Sequence, residues 1–217
     1  GPMKSLHAIN PVRLKYILQG LCEHFGLNSS KKFPLKGISI IDVGCGAGLL
    51  CEPLARLGAL VTGIDATKEN INAANHHSRE MGLSIKYQNE IVGNMAGNTW
   101  DVVLAMEVIE HVPNKDLFIA QTLDLVQEKG IFIGSTINRT IPSLLLAVGA
   151  AEYILGWVPK GTHNWGKFVK PSEFGSSLRN AQFDVTDIKG VSLNLSTGVW
   201  TETDDTRINY MIQAKRD

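Results

Sequence analysis

Charge of one sign is what this chain lacks most plainly: 21 Lys and Arg balance 21 Asp and Glu. A broad basic face that would grip DNA or RNA by its phosphates is thereby excluded, and no nucleic-acid partner is expected. Cysteine is scarce as well. Cys22, Cys45 and Cys51 form neither an even-numbered framework nor a CxxC zinc pattern, so free thiols in a reducing compartment are expected. No apolar run is long enough to span a bilayer. The greasiest stretch, Ile141 to Val158, is broken by Pro142, Gly149, Glu152 and Gly156 and falls short of the ~20 apolar residues a spanning helix needs. Repeats and low-complexity tracts are absent. Gly1-Pro2-Met3 reads as the remnant of a cleaved affinity tag, and no signal peptide is expected after it. What is present is 217 residues, 44% of them hydrophobic, enough for one well-cored domain over residues 1–217. Charged residues, at 19%, fall below the ~25% of an average soluble domain, so part of the surface is expected to be apolar.

Strand and helix signals alternate. Apolar spacing predicts a helix over Ile9 to Glu23, with Asn10 and Pro11 as its cap and first-turn pair. Ile38-Ser-Ile-Ile-Asp-Val43 is a β-branched run that stops at a glycine cluster, as a buried parallel strand would. A helix over Leu49 to Leu57, shifted or bent by Pro53, leads to a strand over Ala59 to Ile64 and a helix over Lys68 to Met81, closed by Gly82. Further strands are expected at Ser84 to Gln88, Trp100 to Ala105 and Gly130 to Thr136, with a helix over Asn114 to Gln127. Such alternation implies right-handed crossovers and a parallel sheet covered by helices on both faces. The rhythm then breaks at an apolar insertion, taken as 137–170, before a helix over Pro171 to Asn180. Phe183 to Lys189 and Arg207 to Lys215 are expected to pair as a long antiparallel hairpin.

Directly after the first strand stands Asp42-Val-Gly44-Cys-Gly46-Ala-Gly48, and Asp65 ends the second strand. Glycines there let the backbone pass close to a ligand, while an acid at the neighbouring strand tip can accept bonds from ribose hydroxyls. A dinucleotide fingerprint has GxGxxG spacing. Here the spacing is GxGxG, and Leu49 stands where the third dinucleotide glycine would fall, which argues against a nicotinamide-dependent dehydrogenase. The pattern resembles the first motif of class I S-adenosylmethionine-dependent methyltransferases.

Met106-Glu107-Val-Ile-Glu110-His111 follows the fourth strand at the same sheet edge. On a helical turn, spacings of i, i+3 and i+4 would place Glu107, Glu110 and His111 on one face, where two carboxylates and an imidazole can hold a divalent cation. Two other readings stay open: Glu110 pairs locally while His111 packs under the sheet edge, or His111 is a general base. A phenol of pKa about 10 must lose its proton before attacking a sulfonium, and either a cation or an imidazole would assist.

A closer resemblance covers Leu6 to the C-terminus. The segments Leu6-His-Ala-Ile-Asn-Pro-Val-Arg13-Leu, Asp42 to Gly48, Glu52-Pro-Leu-Ala-Arg-Leu-Gly58, Met106 to His111 and Val158-Pro-Lys-Gly-Thr-His163 look like the ubiquinone-biosynthesis O-methyltransferase family. The resemblance implies a Rossmann-like class I fold: a mainly parallel seven-stranded sheet with a C-terminal antiparallel hairpin and helices on both faces. It implies methylation of phenolic hydroxyls on 2-polyprenyl-6-hydroxyphenol and 3-demethylubiquinol. Arg13, Asp42, Gly44, Gly46, Gly48, Asp65 and Met106 are the expected cofactor-binding residues, Glu107 and His111 the catalytic ones. Glu107, Glu110 and His111 are the expected ligands of a divalent metal, usually magnesium. Members usually carry a further helix upstream of the first residue here, and Ala8 stands where an Arg is common. The competing reading is a non-catalytic scaffold or lipid-head-group-binding subunit on the same fold.

The insertion offers Leu144, Leu145, Leu146, Tyr153, Ile154, Leu155 and Trp157 against a single charge, Glu152, with Lys160, Lys167 and Lys170 following. A polyprenyl tail lies in the bilayer, so 141–158 is expected either to dock on lipid or to close over the sheet as a lid. A peripheral position is expected, in the cytoplasm or on the matrix side of the mitochondrial inner membrane, with other proteins of the ubiquinone pathway as possible partners.

Overall fold

The computed structural model describes residues 3–144, 165–194 and 197–216, with side chains of the first helix described from His7 onward. The strands are β1 (Ser39–Val43), β2 (Leu60–Ile64), β3 (Lys86–Gln88), β4 (Trp100–Met106), β5 (Val126–Ile137), β6 (Phe183–Asn194), β7 (Val199–Thr203) and β8 (Asn209–Arg216). They form one sheet in the order β3-β2-β1-β4-β5-β8-β6-β7. The pairs β2–β3, β1–β2, β1–β4 and β4–β5 are parallel; β5–β8, β6–β8 and β6–β7 are antiparallel. The expected class I fold is therefore present. Its strand count is eight rather than seven, because β6 runs on to Asn194 and turns at Gly198 (φ +68°) into the edge strand β7.

Helices α1 (Met3–Phe25), α2 (Cys51–Arg56) and α3 (Lys68–Glu80) cover one face; α4 (Lys115–Leu123) and α6 (Pro171–Asn180) cover the other, and α5 (Ile141–Leu144) is a single turn after β5. Side chains alternate along a strand, so neighbouring residues enter opposite cores. Ile40, Val102 and Leu104 meet Ile17 and Leu21 of α1 and Leu54 of α2. Ile41, Val103 and Ala105 meet Phe118 of α4 and Phe174 of α6. Burying each of the Val, Leu, Ile and Phe side chains among these stabilises the fold by about 1.5–3 kcal/mol.

The bounds of α1, α4 and β5 also depart from expectation. α1 starts at Met3 and runs through Pro11. Pro11 is exposed, so water can reach the carbonyl four residues back that loses its amide partner. Asn10 is accordingly not a cap; its side-chain amide donates to the Leu49 carbonyl (2.7 Å), tying α1 to the end of the glycine turn. α4 ends at Leu123, and β5 begins at Val126, which pairs with Trp100 before a register shift. Asn114 does cap α4, accepting from the Leu117 amide (3.0 Å). Pro53 sits in the first turn of α2, where its missing N–H has no intrahelical acceptor to lose.

Most of the insertion, 145–164, lies outside the described residues, and with it Leu145, Leu146 and His163. Its flanks are fixed to the carboxyl edge of the sheet. Val169 donates its amide to Ile137 (3.1 Å), Tyr210 its hydroxyl to the Val169 carbonyl (3.1 Å), and Trp165 its indole N–H to the Thr140 carbonyl (3.1 Å). Among the described residues no helix is long and apolar enough to cross a membrane.

Candidate active site

Parallel pairing brings the tips of β1, β2, β4 and β5 together, which is where ligands bind in open α/β sheets. At the β1 tip the glycine turn is held from below: the amides of Gly44 and Cys45 both donate to the Ile64 carbonyl (2.8 and 2.9 Å). Gly44, Gly46 and Gly48 all have positive φ, at +75°, +54° and +84°. At Gly44 a Cβ would stand 2.4 Å from Val108 Cγ2, and at Gly48 2.2 Å from the Tyr87 hydroxyl, so both are also required by packing. At Gly46 a Cβ would meet nothing within 4 Å. The middle of the turn thus faces open space, as a backbone that must receive a ligand should.

Asp65, at the β2 tip, faces this turn. Its Oδ2 accepts from the Gly46 amide (2.9 Å), and its Oδ1 from the Thr67 amide (2.8 Å) and the Asn70 side chain (3.2 Å). A carboxylate has about four lone-pair positions. Three are in use, which leaves Asp65 room for one ribose hydroxyl while Gly46 stays attached. Asp42 lies lower. It is 2% exposed and accepts from the Cys51 thiol (3.3 Å). Burial pushes its carboxyl up to about 7, against the Cys51 hydrogen bond and with the help of the nearby Asp65 charge. Asp42 therefore underpins the turn and does not line the cleft.

At the β4 tip, Met106 is packed in the core beside Ser135 of β5. The next residue, Glu107, has φ +58°, a conformation that costs a non-glycine residue of order 1–3 kcal/mol and is held only where the surroundings enforce it. The enforcing group is Ser135. Its carbonyl and its hydroxyl both accept from the Glu107 amide (3.0 and 3.1 Å), and the hydroxyl donates to Glu107 Oε1 (2.8 Å). Arg13 of α1, 8% exposed, pairs with the same oxygen at 3.3 Å. Its remaining guanidinium donors are available to an anionic ligand group.

Glu110 is buried, and its Oε2 accepts from the Thr136 hydroxyl (2.9 Å). Burial, then the adjacent Glu107 charge, push its carboxyl up to about 8. Tyr210 is raised as well, by burial first and then by Glu110. Sequence spacing pointed to none of Ser135, Thr136 and Tyr210.

The expected metal set is not assembled. Among the described residues no three of His, Cys, Asp and Glu are arranged to hold a metal ion. The reason is local: the left-handed Glu107 prevents the helical turn that would have put Glu107, Glu110 and His111 on one face. Instead the His111 amide closes a turn on the Val108 carbonyl (2.9 Å), with Glu110 directed inward and His111 exposed. The two carboxylates meet.

A cavity of about 440 Å³ opens beside the end of the glycine turn, between α1, α2 and α3, lined by Asn10, Gly48, Leu49, Glu52 and His77 among others. Neither Asp65 nor Glu107 lines it, so it is not the place where the sheet-edge chemistry converges. His77, itself exposed, pairs there with Glu52 at 2.5 Å.

Residues 15–188 match the family described as a methyltransferase domain. The chain is 46% identical to the ubiquinone biosynthesis O-methyltransferase of Methylobacterium nodulans, over 100% of this chain and 88% of that protein. It is 44% identical to the protein of the same name from Paramagnetospirillum magneticum, over 98% and 86%. Among solved structures, magnesium protoporphyrin IX methyltransferase from Synechocystis PCC 6803 with bound SAH superposes with a TM-score of 0.67 at 20% identity, covering 94% of this chain and 82% of that one. A methyltransferase from Clostridium acetobutylicum gives 0.67 at 13%, covering 94% and 90%. With the glycine turn, Asp65 and the Glu107–Glu110 pair converging at one sheet edge, these likenesses make the chain an S-adenosylmethionine-dependent methyltransferase belonging to the ubiquinone biosynthesis O-methyltransferase family.

Proposed function

We infer that this protein methylates a phenolic hydroxyl of polyprenylated catechol-type intermediates, 2-polyprenyl-6-hydroxyphenol and 3-demethylubiquinol, with S-adenosylmethionine as methyl donor. The observation that carries the reading is the placement of a strained, Arg-paired carboxylate, Glu107, beside a glycine turn and a ribose-type acid, in a chain 42–46% identical over its whole length to O-methyltransferases so named. When bound, S-adenosylmethionine supplies an electrophilic methyl on a sulfonium. The glycine turn and Asp65 receive its nucleoside, and Arg13 offers donors to its carboxylate. Glu107 accepts the phenolic proton as the new O–C bond forms and the C–S bond breaks, its electron pair leaving with the sulfur. Alignment and proton removal at fixed geometry are the chain's own contributions. No step is routed through a magnesium ion, because among the described residues no three donors are arranged to hold one.

The test is calorimetric titration with S-adenosylmethionine followed by turnover on a catechol carrying a short isoprenyl tail. Binding and methylation of one hydroxyl are expected. Binding without turnover on that catechol would replace this reading with the non-catalytic one.

The lipid tail of such a substrate bears on 141–158. The sequence of that segment supports peripheral docking on the membrane surface, from the cytoplasm or the mitochondrial matrix, with flanking lysines toward anionic lipid. Flotation with vesicles containing anionic lipid is expected to recover the protein with the vesicles. The double change Leu145→Asp, Leu146→Asp should sharply reduce that recovery; unchanged flotation would remove membrane docking from the account.

A further inference from the structure

Two consecutive hydroxyl residues at the end of β5 hold the two carboxylates, one each. Ser135 is 1% exposed and Thr136 is fully buried. Successive strand residues point to opposite faces, so Ser135 and Thr136 grip the Glu107–Glu110 turn from both sides of the strand tip. Ser135 acts twice on Glu107, accepting from its amide and donating to its Oε1, and Thr136 donates to Glu110 Oε2. The strand itself is not free to drift. Met106 is in register with Ser135 on one side, and Met211 and Tyr210 face Ser135 and Thr136 on the other. Two adjacent buried hydroxyls thus spend their donors on two carboxylates. Valine and isoleucine fill the equivalent strand interiors elsewhere, as at Val102, Val103 and Ile133.

We propose that Ser135 and Thr136 are positioning residues for methyl transfer: Ser135 fixes the conformation and direction of the Glu107 carboxylate, and Thr136 fixes Glu110 behind it. The proposal rests on the reading of Glu107 as acceptor of the phenolic proton. In the wild type, Ser135 sets the Glu107 backbone at positive φ, so the carboxylate is delivered to one place relative to the glycine turn. Without the hydroxyl, the amide keeps only the Ser135 carbonyl, and Oε1 keeps only Arg13.

The experiment measures kcat and KM on the short-tailed catechol, the dissociation constant of S-adenosylmethionine, and the thermal midpoint. It uses Ser135→Ala, Thr136→Val and the conservative pair Ser135→Thr and Thr136→Ser. Misplacing a reacting group by about 1 Å costs up to ~10²-fold, so kcat is expected to fall by roughly ten- to a hundredfold in Ser135→Ala and less in Thr136→Val. Cofactor affinity should stay near the wild-type value, and the conservative pair should recover most of the rate. If Ser135→Ala does not fold, Ser135→Cys is read in its place, since it keeps the volume and loses the strong donor. Wild-type kcat in the folded variants, or a loss that the conservative pair does not recover, overturns the proposal. Glu107→Gln run alongside separates the two levels. If it is inactive while Ser135→Ala and Thr136→Val are fully active, only the positioning role falls; if it is fully active, the reading of Glu107 falls first.

Discussion

Replacing Glu107 with Gln is expected to lower kcat by roughly 10²–10⁴-fold, the usual range for loss of a positioned general base, while the affinity for S-adenosylmethionine changes little. Gln is the informative choice. Its amide oxygen can still accept from the Ser135 hydroxyl and from Arg13, so the contacts that hold the side chain are largely retained and basicity alone is removed. Glu107→Ala should be as inactive, but it also unpairs Arg13, which is 8% exposed and would be left as a buried cation without its partner. A drop in thermal midpoint for Ala but not Gln, with both inactive, would distinguish chemistry from architecture. Turnover of Glu107→Gln near the wild-type rate would reject the proton-acceptor role.

Much of this arrangement was legible in the sequence, and the part that was not shares one cause. Local signals placed β1, the glycine turn, β2 and Asp65, because a β-branched run ending in glycines and a run ending in an acid describe one strand tip each. Helix periodicity identified α1 through Ile9, Val12, Ile17 and Leu21, although the exposed Pro11 suggested a start that the helix passes through. What spacing alone could not give is any contact set by pairing of distant strands. Ser135 reaches Glu107 only because β5 lies beside β4 in a register that puts Met106 against Ser135, and Arg13 reaches the same carboxylate from the first helix. That the described residues do not assemble the expected metal set has a related reason. The expectation assumed helical geometry for Glu107 to His111, whereas the bonds from Ser135 impose a left-handed residue at the first position. β7 escaped notice because it is an edge strand whose Val199 is exposed, so burial does not impose a clean alternation on its sequence. Its cue, a glycine at the turn before Val-Trp-Thr, was present at Gly198.

Asp65 is expected to be the most consequential residue for cofactor binding, and its effect should appear in two measurements at once. Its carboxylate joins the glycine turn, through the Gly46 amide, to the start of α3, through Thr67 and Asn70. A hydrogen bond to a charged group contributes about 1.5–3 kcal/mol, and Asp65 is only partly buried, so the lower part of that range applies to each. Asp65→Ala removes all three, together with the acceptor for the ribose. The dissociation constant of S-adenosylmethionine should rise by about a hundredfold, one factor of ten for the lost ribose bond and another for a turn no longer held in place. The thermal midpoint should fall by several degrees, since ~1 kcal/mol corresponds to about 2–4 °C in a domain of this size. Asp65→Asn separates the contributions. Its carbonyl oxygen can still serve Thr67 and Asn70, but its amide would face the Gly46 N–H donor to donor. Asn should therefore recover most of the midpoint and little of the affinity. If Asp65→Ala binds S-adenosylmethionine as tightly as the wild type, the nucleoside does not sit between the glycine turn and the β2 tip. The placement of Glu107 beside a reacting methyl would then lose its basis.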